Sequence, residues 1–372
     1  MRVLYVNDAI AIWGGLERIL VEKANYLTNH YGYDVAIVTS EQGEHKVPYS
    51  ISPQIYLKDL GIRFHQQYNY RGIKRFFKYF KLHRSYLAHL RKMINEFQPD
   101  VIVVMRVELV SDVLKVKGAI PLIFESHACC KCDLFEGYGF WRRIHYSWHI
   151  YQASKADTIV ALTNRDAADW RNYSKKVQII PNMVNLNKSN RYSLHESKEI
   201  LFVGRLSKQK NIDGLLRIWE IVSNRFPKWS LHIYGEGDEE TALMKSISST
   251  NGNVVLHKPI SNLDDIYINS SMLLLTSIYE PFGLVMPEAM SYGLPVVAFN
   301  CPYGPSDIIS DGLDGFLIKE GDIYAFAHKV CLLIENRQLR MQMGVNAIKS
   351  SQRYLPDNIM LYWKNLFEKY LK

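Results

Sequence analysis

The run Leu273-Leu-Leu-Thr-Ser-Ile-Tyr-Glu280-Pro-Phe-Gly283-Leu-Val-Met-Pro-Glu288-Ala-Met-Ser-Tyr-Gly293-Leu-Pro-Val-Val297 packs strand, loop, helix and strand into one short stretch. A continuous apolar segment ending near Ser277 has the character of a parallel strand buried on both faces. A helix is expected from about Gly283. Gly293 ends it where a left-handed residue is wanted, and a second apolar strand begins at Val296. Strand–helix–strand with two buried strands is the repeating unit of a doubly wound α/β sheet.

The same rhythm runs outward in both directions. Further apolar strand segments are expected at 3–7, 35–39, 101–105, 122–125, 158–162 and 178–180 in the first half. In the second half they are expected at 200–203, 231–234, 254–257, 272–276, 296–299 and 315–318. Helical patterns separate almost all of them, so βαβαβ is read twice. The length of 372 residues accommodates two domains, and 48% apolar with 22% charged residues is globular composition. The polar stretch 183–198 places the boundary, giving domains over 1–185 and 186–354 and a terminal helix over 355–372.

In open α/β sheets ligands bind beyond the carboxyl ends of the strands, and the chemistry-bearing loops all follow strands. Gly283 lets a ligand approach the backbone, and the free N–H groups of the next turn attract an anion. Glu288, about one helical turn on, is placed to accept from a hydroxyl pair such as a ribose diol. Taken alone, the bland reading is preferred, with Glu280 a helix cap and Glu288 a solvated helix residue. Phe202-Val-Gly204-Arg205-Leu-Ser-Lys-Gln-Lys210 supplies two cations, which stabilise a departing diphosphate when aimed at its growing charge. Trp13-Gly14-Gly15-Leu-Glu17-Arg18 pairs glycines at the start of the first helix, as a phosphate or a tight turn requires. Phe124-Glu125-Ser126-His127 ends another strand, and Gly235-Glu-Gly237 follows the strand at 231–234.

Taken together, Glu-x7-Glu with Pro-Phe-Gly between, followed by Glu-Ala-Met-x-x-Gly-x-Pro-Val-Val, closely resembles the signature of the family 4 retaining glycosyltransferases. The resemblance implies the GT-B fold, two Rossmann-like domains facing a central cleft, with the terminal helix returning to the first domain. It implies that Arg205 and Lys210 bind the donor diphosphate, with Gly204, Phe282, Gly283, Leu284 and Val285 around it. Gly14 and Gly15 face the same diphosphate, Gly235 lines the nucleotide pocket and Glu288 holds the ribose. Glu280 and His127 orient the sugar, His127 near its 6-position. On that basis the catalytic set is His127, Glu280, Arg205 and Lys210. Two departures stand out: Met183 and Asn185 replace Gly and Asp of the family's hinge after Pro181-Asn182, and Asp307 replaces a Glu.

Asp-x-Asp, the motif that holds a divalent ion on a diphosphate, is absent from the sequence. We therefore expect no metal and no cofactor, with the nucleotide sugar as substrate. The crowded Cys129, Cys130 and Cys132, even with His127, lack the second spaced pair of a zinc site and are read as reduced thiols. No secretory signal or spanning run is evident, which sets the expectation of a cytoplasmic protein.

The formal charge of +8 is uneven. No acidic residue lies between Asp59 and Glu96, where Lys74, Arg75, Lys78 and Lys81 are concentrated. Apolar residues at 73, 76, 77, 80, 87, 90, 94 and 97 form a helical stripe. The plain reading packs this stripe on the first domain. The functional one rests its cationic, aromatic edge on an anionic membrane, peripheral to the inner face of the cell membrane, or gathers a lipid-diphosphate acceptor.

The function expected is retaining transfer of a hexose from a UDP-sugar to a glycan or lipid-linked glycan of a cell-surface polysaccharide. A sugar-nucleotide epimerase shares the architecture but does not account for the Glu-x7-Glu context. A nicotinamide dehydrogenase would carry Gly-x-Gly-x-x-Gly after the first strand. A nucleic-acid module would explain the charge but not the loop motifs, so no nucleic-acid partner is expected.

Overall fold

The computed structural model describes residues 1–12, 14–132, 139–187, 191–249, 253–260 and 262–371; Trp13 lies outside them. Two sheets carry the chain. The first contains β1 (Arg2–Asn7), β2 (Asp34–Thr39), β3 (Tyr56–Asp59), β4 (Val101–Val104), β5 (Leu122–Ser126), β6 (Thr158–Ala161) and β7 (Val177–Ile179). The second contains β8 (Glu199–Val203), β9 (Ser230–Tyr234), β10 (Val254–His257), β11 (Met272–Leu275), β12 (Val296–Phe299) and β13 (Gly315–Ile318).

Strand order is 3-2-1-4-5-6-7 in the first sheet and 10-9-8-11-12-13 in the second. Every pairing is parallel. Both are Rossmann-like orders, with the winding direction reversing between β1 and β4 and between β8 and β11. The β-branched runs explain the central strands. Val101–Val104 is buried along its whole length, with Val104 opposite Val6 of β1. β3 was not expected: Tyr56, Leu57 and Lys58 are exposed, and an edge strand of four residues carries no apolar run.

The chain divides into two compact units. Unit 1 is Met1–Leu162, Asp166–Ile180 and Ile359–Lys372, and unit 2 is Thr163–Arg165 and Pro181–Asn358. The change of unit thus falls at Pro181, a few residues before the boundary read from polarity. The terminal helix Pro356–Glu368 buries Ile359, Met360, Trp363, Leu366 and Phe367. In unit 2 the helices on the sheet close a core around Phe202, Trp219, Met272, Phe299 and Phe326. In unit 1 the helix Gly15–Tyr31 stops at Gly32, whose φ of 63° lets its N–H reach Leu27 and Thr28 carbonyls.

The helix Gly72–Phe97 corrects the packed-stripe reading in its first half. It buries only Tyr86, Leu90, Met93 and Ile94, while Ile73, Phe76, Phe77 and Phe80 are exposed, Phe76 by 64%. The periodicity was there, but these four apolar positions stay exposed, although Tyr68 lies against Arg75 and Phe64 against Tyr79 on the same turns.

Candidate active site

In unit 2 the β8 and β11 loops are tied together before any substrate is considered. Ile278 N–H donates to Gln209 O (2.8 Å), Gln209 Nε2 to Tyr279 O (3.0 Å) and Thr276 Oγ1 to Lys210 O (2.9 Å). This places Lys210 Nζ 2.6 Å from Glu280 Oε2, which also accepts from Ser277 Oγ at 3.0 Å. Glu280 is thus buried and ion-paired, not a helix cap. Arg205, from the same β8 loop, is exposed.

The backbone around Glu280 is constrained. Glu280 N–H donates to Pro302 O (3.1 Å), and Gly304 N–H donates to Glu280 O (2.7 Å). Between these partners Tyr303 holds φ 82°, ψ −100°, a costly region for a residue with a side chain. Gly283 has φ 88°, and a Cβ there would lie 2.5 Å from Met286 Cε and 2.8 Å from Glu280 Cγ. The helix starts at Val285, with Leu284 as its cap, two residues later than the sequence implied. Phe282 is buried with its ring edge-on to Tyr354 at 5.5 Å, so its side chain serves packing. Glu288 is half-buried and accepts from Tyr267 OH at 3.2 Å.

Gly204 and Gly235 have a packing reason of their own. Gly204 N–H donates to Tyr234 O at 3.0 Å. A Cβ on Gly235 would fall 2.0 Å from Gly204 O, and one on Gly204 3.2 Å from Lys210 Cε. These glycines bring the β8 and β9 loops into contact and leave room for the Lys210 stem. Asp307 Oδ2 accepts from Asn164 N–H at 2.5 Å, a helix-start contact.

In unit 1 Gly14 N–H and O both bond Tyr49 OH at 2.9 Å. Gly14 is extended, and Gly15 opens the helix. A Cβ on Gly14 would strike Glu17 Oε2 at 2.3 Å. Glu17 is buried and accepts from Arg106 Nη2 at 2.9 Å, and Arg106 Nε donates to Asn7 Oδ1 at 3.2 Å. Arg106, just past β4, was missed; a lone Arg after an apolar strand was its only signal.

His127, just past β5, has Nε2 3.0 Å from Glu125 Oε1. Glu125 pairs on its other oxygen with Lys23, and both side chains are only 1% exposed. Burial disfavours the Glu125 charge, but Lys23 and His127 outweigh it and hold the carboxyl at about 2. Burial draws Lys23 below its ordinary value, against Glu125. Lys23 was also missed, since it stands on the apolar face of an amphipathic helix. Cys129, Cys130 and Cys132 are buried, and Cys132 Sγ donates to Tyr146 OH at 3.0 Å. Among the described residues no group of three or more His, Cys, Asp and Glu could hold a metal ion.

A second aromatic face was not foreseen. The helix Phe140–Ala153 exposes Phe140, Trp141, Ile144, Trp148 and Tyr151, Trp141 by 80%. Among the described residues no helix is long and apolar enough to cross a membrane.

Cationic and carboxylate side chains at the carboxyl ends of two Rossmann-like sheets agree with comparisons to known proteins. Residues 13–188 match the model described as Glycosyltransferase Family 4, and 186–350 match Glycosyl transferases group 1. An uncharacterized glycosyltransferase of Haemophilus influenzae is 29% identical over 95% of this chain and 96% of its own. The amylovoran biosynthesis glycosyltransferase AmsD of Erwinia amylovora is 27% identical over 98% of this chain and 99% of its own. A TarM variant of S. aureus, solved with fondaparinux, alpha-GlcNAc-glycerol and UDP, superposes with TM-score 0.79 at 17% identity. It covers 98% of this chain and 99% of that one. The fold is GT-B and the protein is a glycosyltransferase. The chain belongs to the family 4 glycosyltransferases.

Proposed function

We propose that this glycosyltransferase moves a hexose from UDP-hexose, with retention at the anomeric carbon, to a glycan or lipid-linked glycan of a cell-surface polysaccharide. The observation that carries the reading is the Lys210–Glu280 pair, with Arg205 exposed on the same loop as Lys210. Glu280 orients the sugar, and the two cations receive the charge that develops on the leaving diphosphate. Glu288 holds the ribose, while Gly14, Gly15, Gly204 and the backbone at 283–285 leave space for phosphate oxygens. His127 touches the sugar near its 6-position. The acceptor hydroxyl attacks from the side the diphosphate leaves, and its proton passes to the departing phosphate oxygen. Arg205 and Lys210 do electrostatic work that a divalent ion does elsewhere, so transfer proceeds without metal. The polysaccharide setting follows the likeness to AmsD, and UDP follows the ligand bound in TarM.

The deciding experiment is a screen of UDP-, GDP- and dTDP-sugars for hydrolysis and transfer, with EDTA in parallel. NMR then assigns the anomeric configuration of the product. A retained configuration from a UDP-hexose, undiminished by EDTA, is expected. Release of an epimerised nucleotide sugar would replace this reading with the epimerase one.

We also assign unit 1 a peripheral contact with anionic lipid. Lys74, Arg75, Lys78 and Lys81 flank the uncovered Ile73, Phe76, Phe77 and Phe80, and the helix Phe140–Ala153 adds exposed aromatics without an acidic residue. Cationic heads over an apolar face suit a lipid interface near a lipid-linked acceptor.

A further inference from the structure

Three distant parts of unit 1 converge behind His127. The helix Gly15–Tyr31 contributes Lys23, β5 contributes Glu125, and the terminal helix contributes Trp363. Lys23 Nζ bonds Glu125 Oε2 and lies over the Trp363 ring, 4.0 Å from its centroid. The other Glu125 oxygen lies against His127 Nε2 at 3.0 Å. A lysine on the buried face of a helix is unfavourable for folding alone, because an apolar pair of similar volume is often as stable or more so. Stability alone therefore does not account for the pair.

We propose that Glu125 is a positioning residue for His127, held in place by Lys23. Glu125 engages Nε2 and so turns Nδ1 toward the donor sugar as an acceptor. This rests on the reading of His127 as a donor-sugar contact. An imidazole whose one nitrogen faces a carboxylate is fixed in tautomer and ring orientation. Nε2 is buried and its approach to Glu125 is out of hydrogen-bond alignment here; such contacts tighten when substrate arrives. Lys23 keeps the carboxylate charged in a site with no water access, and Trp363 covers the ammonium from the other side. The returning terminal helix thus supports the substrate-facing end of β5.

Removing one partner would leave a buried charge, so the pair is changed together: K23M/E125L deletes the carboxylate, and K23M/E125Q keeps an acceptor for Nε2–H. Activity is read as hydrolysis of whichever of UDP-glucose, UDP-galactose and UDP-N-acetylglucosamine the wild type turns over fastest. H127A is the reference. K23M/E125L is expected to lose at least about tenfold in kcat, with KM, UDP affinity and melting temperature close to wild type. K23M/E125Q should recover most of the loss, and adding H127A to K23M/E125L should cost little more. Wild-type kcat in K23M/E125L beside a crippled H127A would overturn the positioning role and leave His127 as a donor contact. Wild-type kcat in H127A would overturn both. If K23M/E125L does not fold, long-range 15N NMR of the wild type decides, with the His127 signals assigned against H127A. A proton on Nε2 supports the proposal, and a proton on Nδ1 with bare Nε2 overturns it.

Discussion

Lys210 and Glu280, seventy positions apart in sequence, meet through Nζ and Oε2 at 2.6 Å where the β8 and β11 loops are stitched together. The pair is nearly neutral as it stands, with Arg205 and Lys208 exposed cations of the same loop. Glu280→Ala releases Lys210 toward the diphosphate. Turnover should fall by about a hundredfold or more, as for loss of one preorganised group, while UDP affinity stays level or rises. Calorimetric UDP titration beside product formation checks this. A parallel loss of both would mean that Glu280 only supports the loop.

Glu288 should behave in the opposite way. It is half-buried beside Tyr267, whose hydroxyl reaches it at 3.2 Å. A charged acceptor that holds ribose hydroxyls contributes about 1.5–3 kcal/mol per bond. Glu288→Ala should therefore weaken UDP binding by about tenfold or more and lower kcat much less. Tyr267→Phe should have a smaller effect of the same kind. Unchanged UDP affinity in both would remove the ribose role.

Gly283 tests whether the loop's shape matters apart from its charges. Its φ of 88° costs any other residue, and a Cβ would press on Glu280 Cγ. Gly321 has φ 80°, and a Cβ added there would meet nothing within 4 Å. Gly283→Ala and Gly321→Ala should both lower the melting temperature, by strain of about 1–2 kcal/mol. Only Gly283→Ala should also depress turnover, because only it displaces Glu280. Equal turnover in the two variants would reduce Gly283 to a turn residue.

The sheets were legible because parallel strands buried on both faces are written as apolar runs: 101–104 and 272–275 are examples. β3 was illegible because Tyr56, Leu57 and Lys58 are exposed and leave no apolar run to mark a strand. Glu280, Lys210 and Glu288 were legible through their motif spacing. Their partners were not: Lys210 and Glu280 meet only because the Gln209 and Tyr279 backbones bond one another's loops. Lys23 was hidden for a related reason. On a helix its position reads as core, and the carboxylate that justifies it is on a strand a hundred residues away.

The lipid contact is a prediction about charge and aromatics acting together. Each Lys or Arg near an anionic surface contributes about 1 kcal/mol, and Trp at the interface adds apolar burial. K74E/R75E/K78E/K81E should abolish sedimentation with phosphatidylserine-containing vesicles at low salt. F140S/W141S should weaken it at high salt as well, where charge is screened. Equal sedimentation of all three proteins would remove the membrane contact and leave the transferase reading untouched.

The Lys23–Glu125 pair also makes a prediction in acid. Glu125 sits at about 2 in the folded protein against an ordinary 4.5, so the unfolded chain takes up this proton first as pH falls. Its contribution to stability is complete above about 4.5 and is lost as pH drops through that window toward 2. Asp166 acts with the opposite sign: burial raises it to about 6, so its ionisation costs stability as pH rises from its ordinary range to 6. Subtracting K23M/E125Q from wild type cancels Asp166 and isolates Glu125. In urea unfolding at pH 7, 5, 4 and 3, the wild type should lose stability more steeply below pH 4.5 than the variant does. Parallel curves would mean that Glu125 binds its proton equally in the folded and unfolded chain. A wild type that gains stability over the variant as pH falls would mean that Glu125 carries its proton in the folded protein. Either would overturn the depressed carboxylate behind His127.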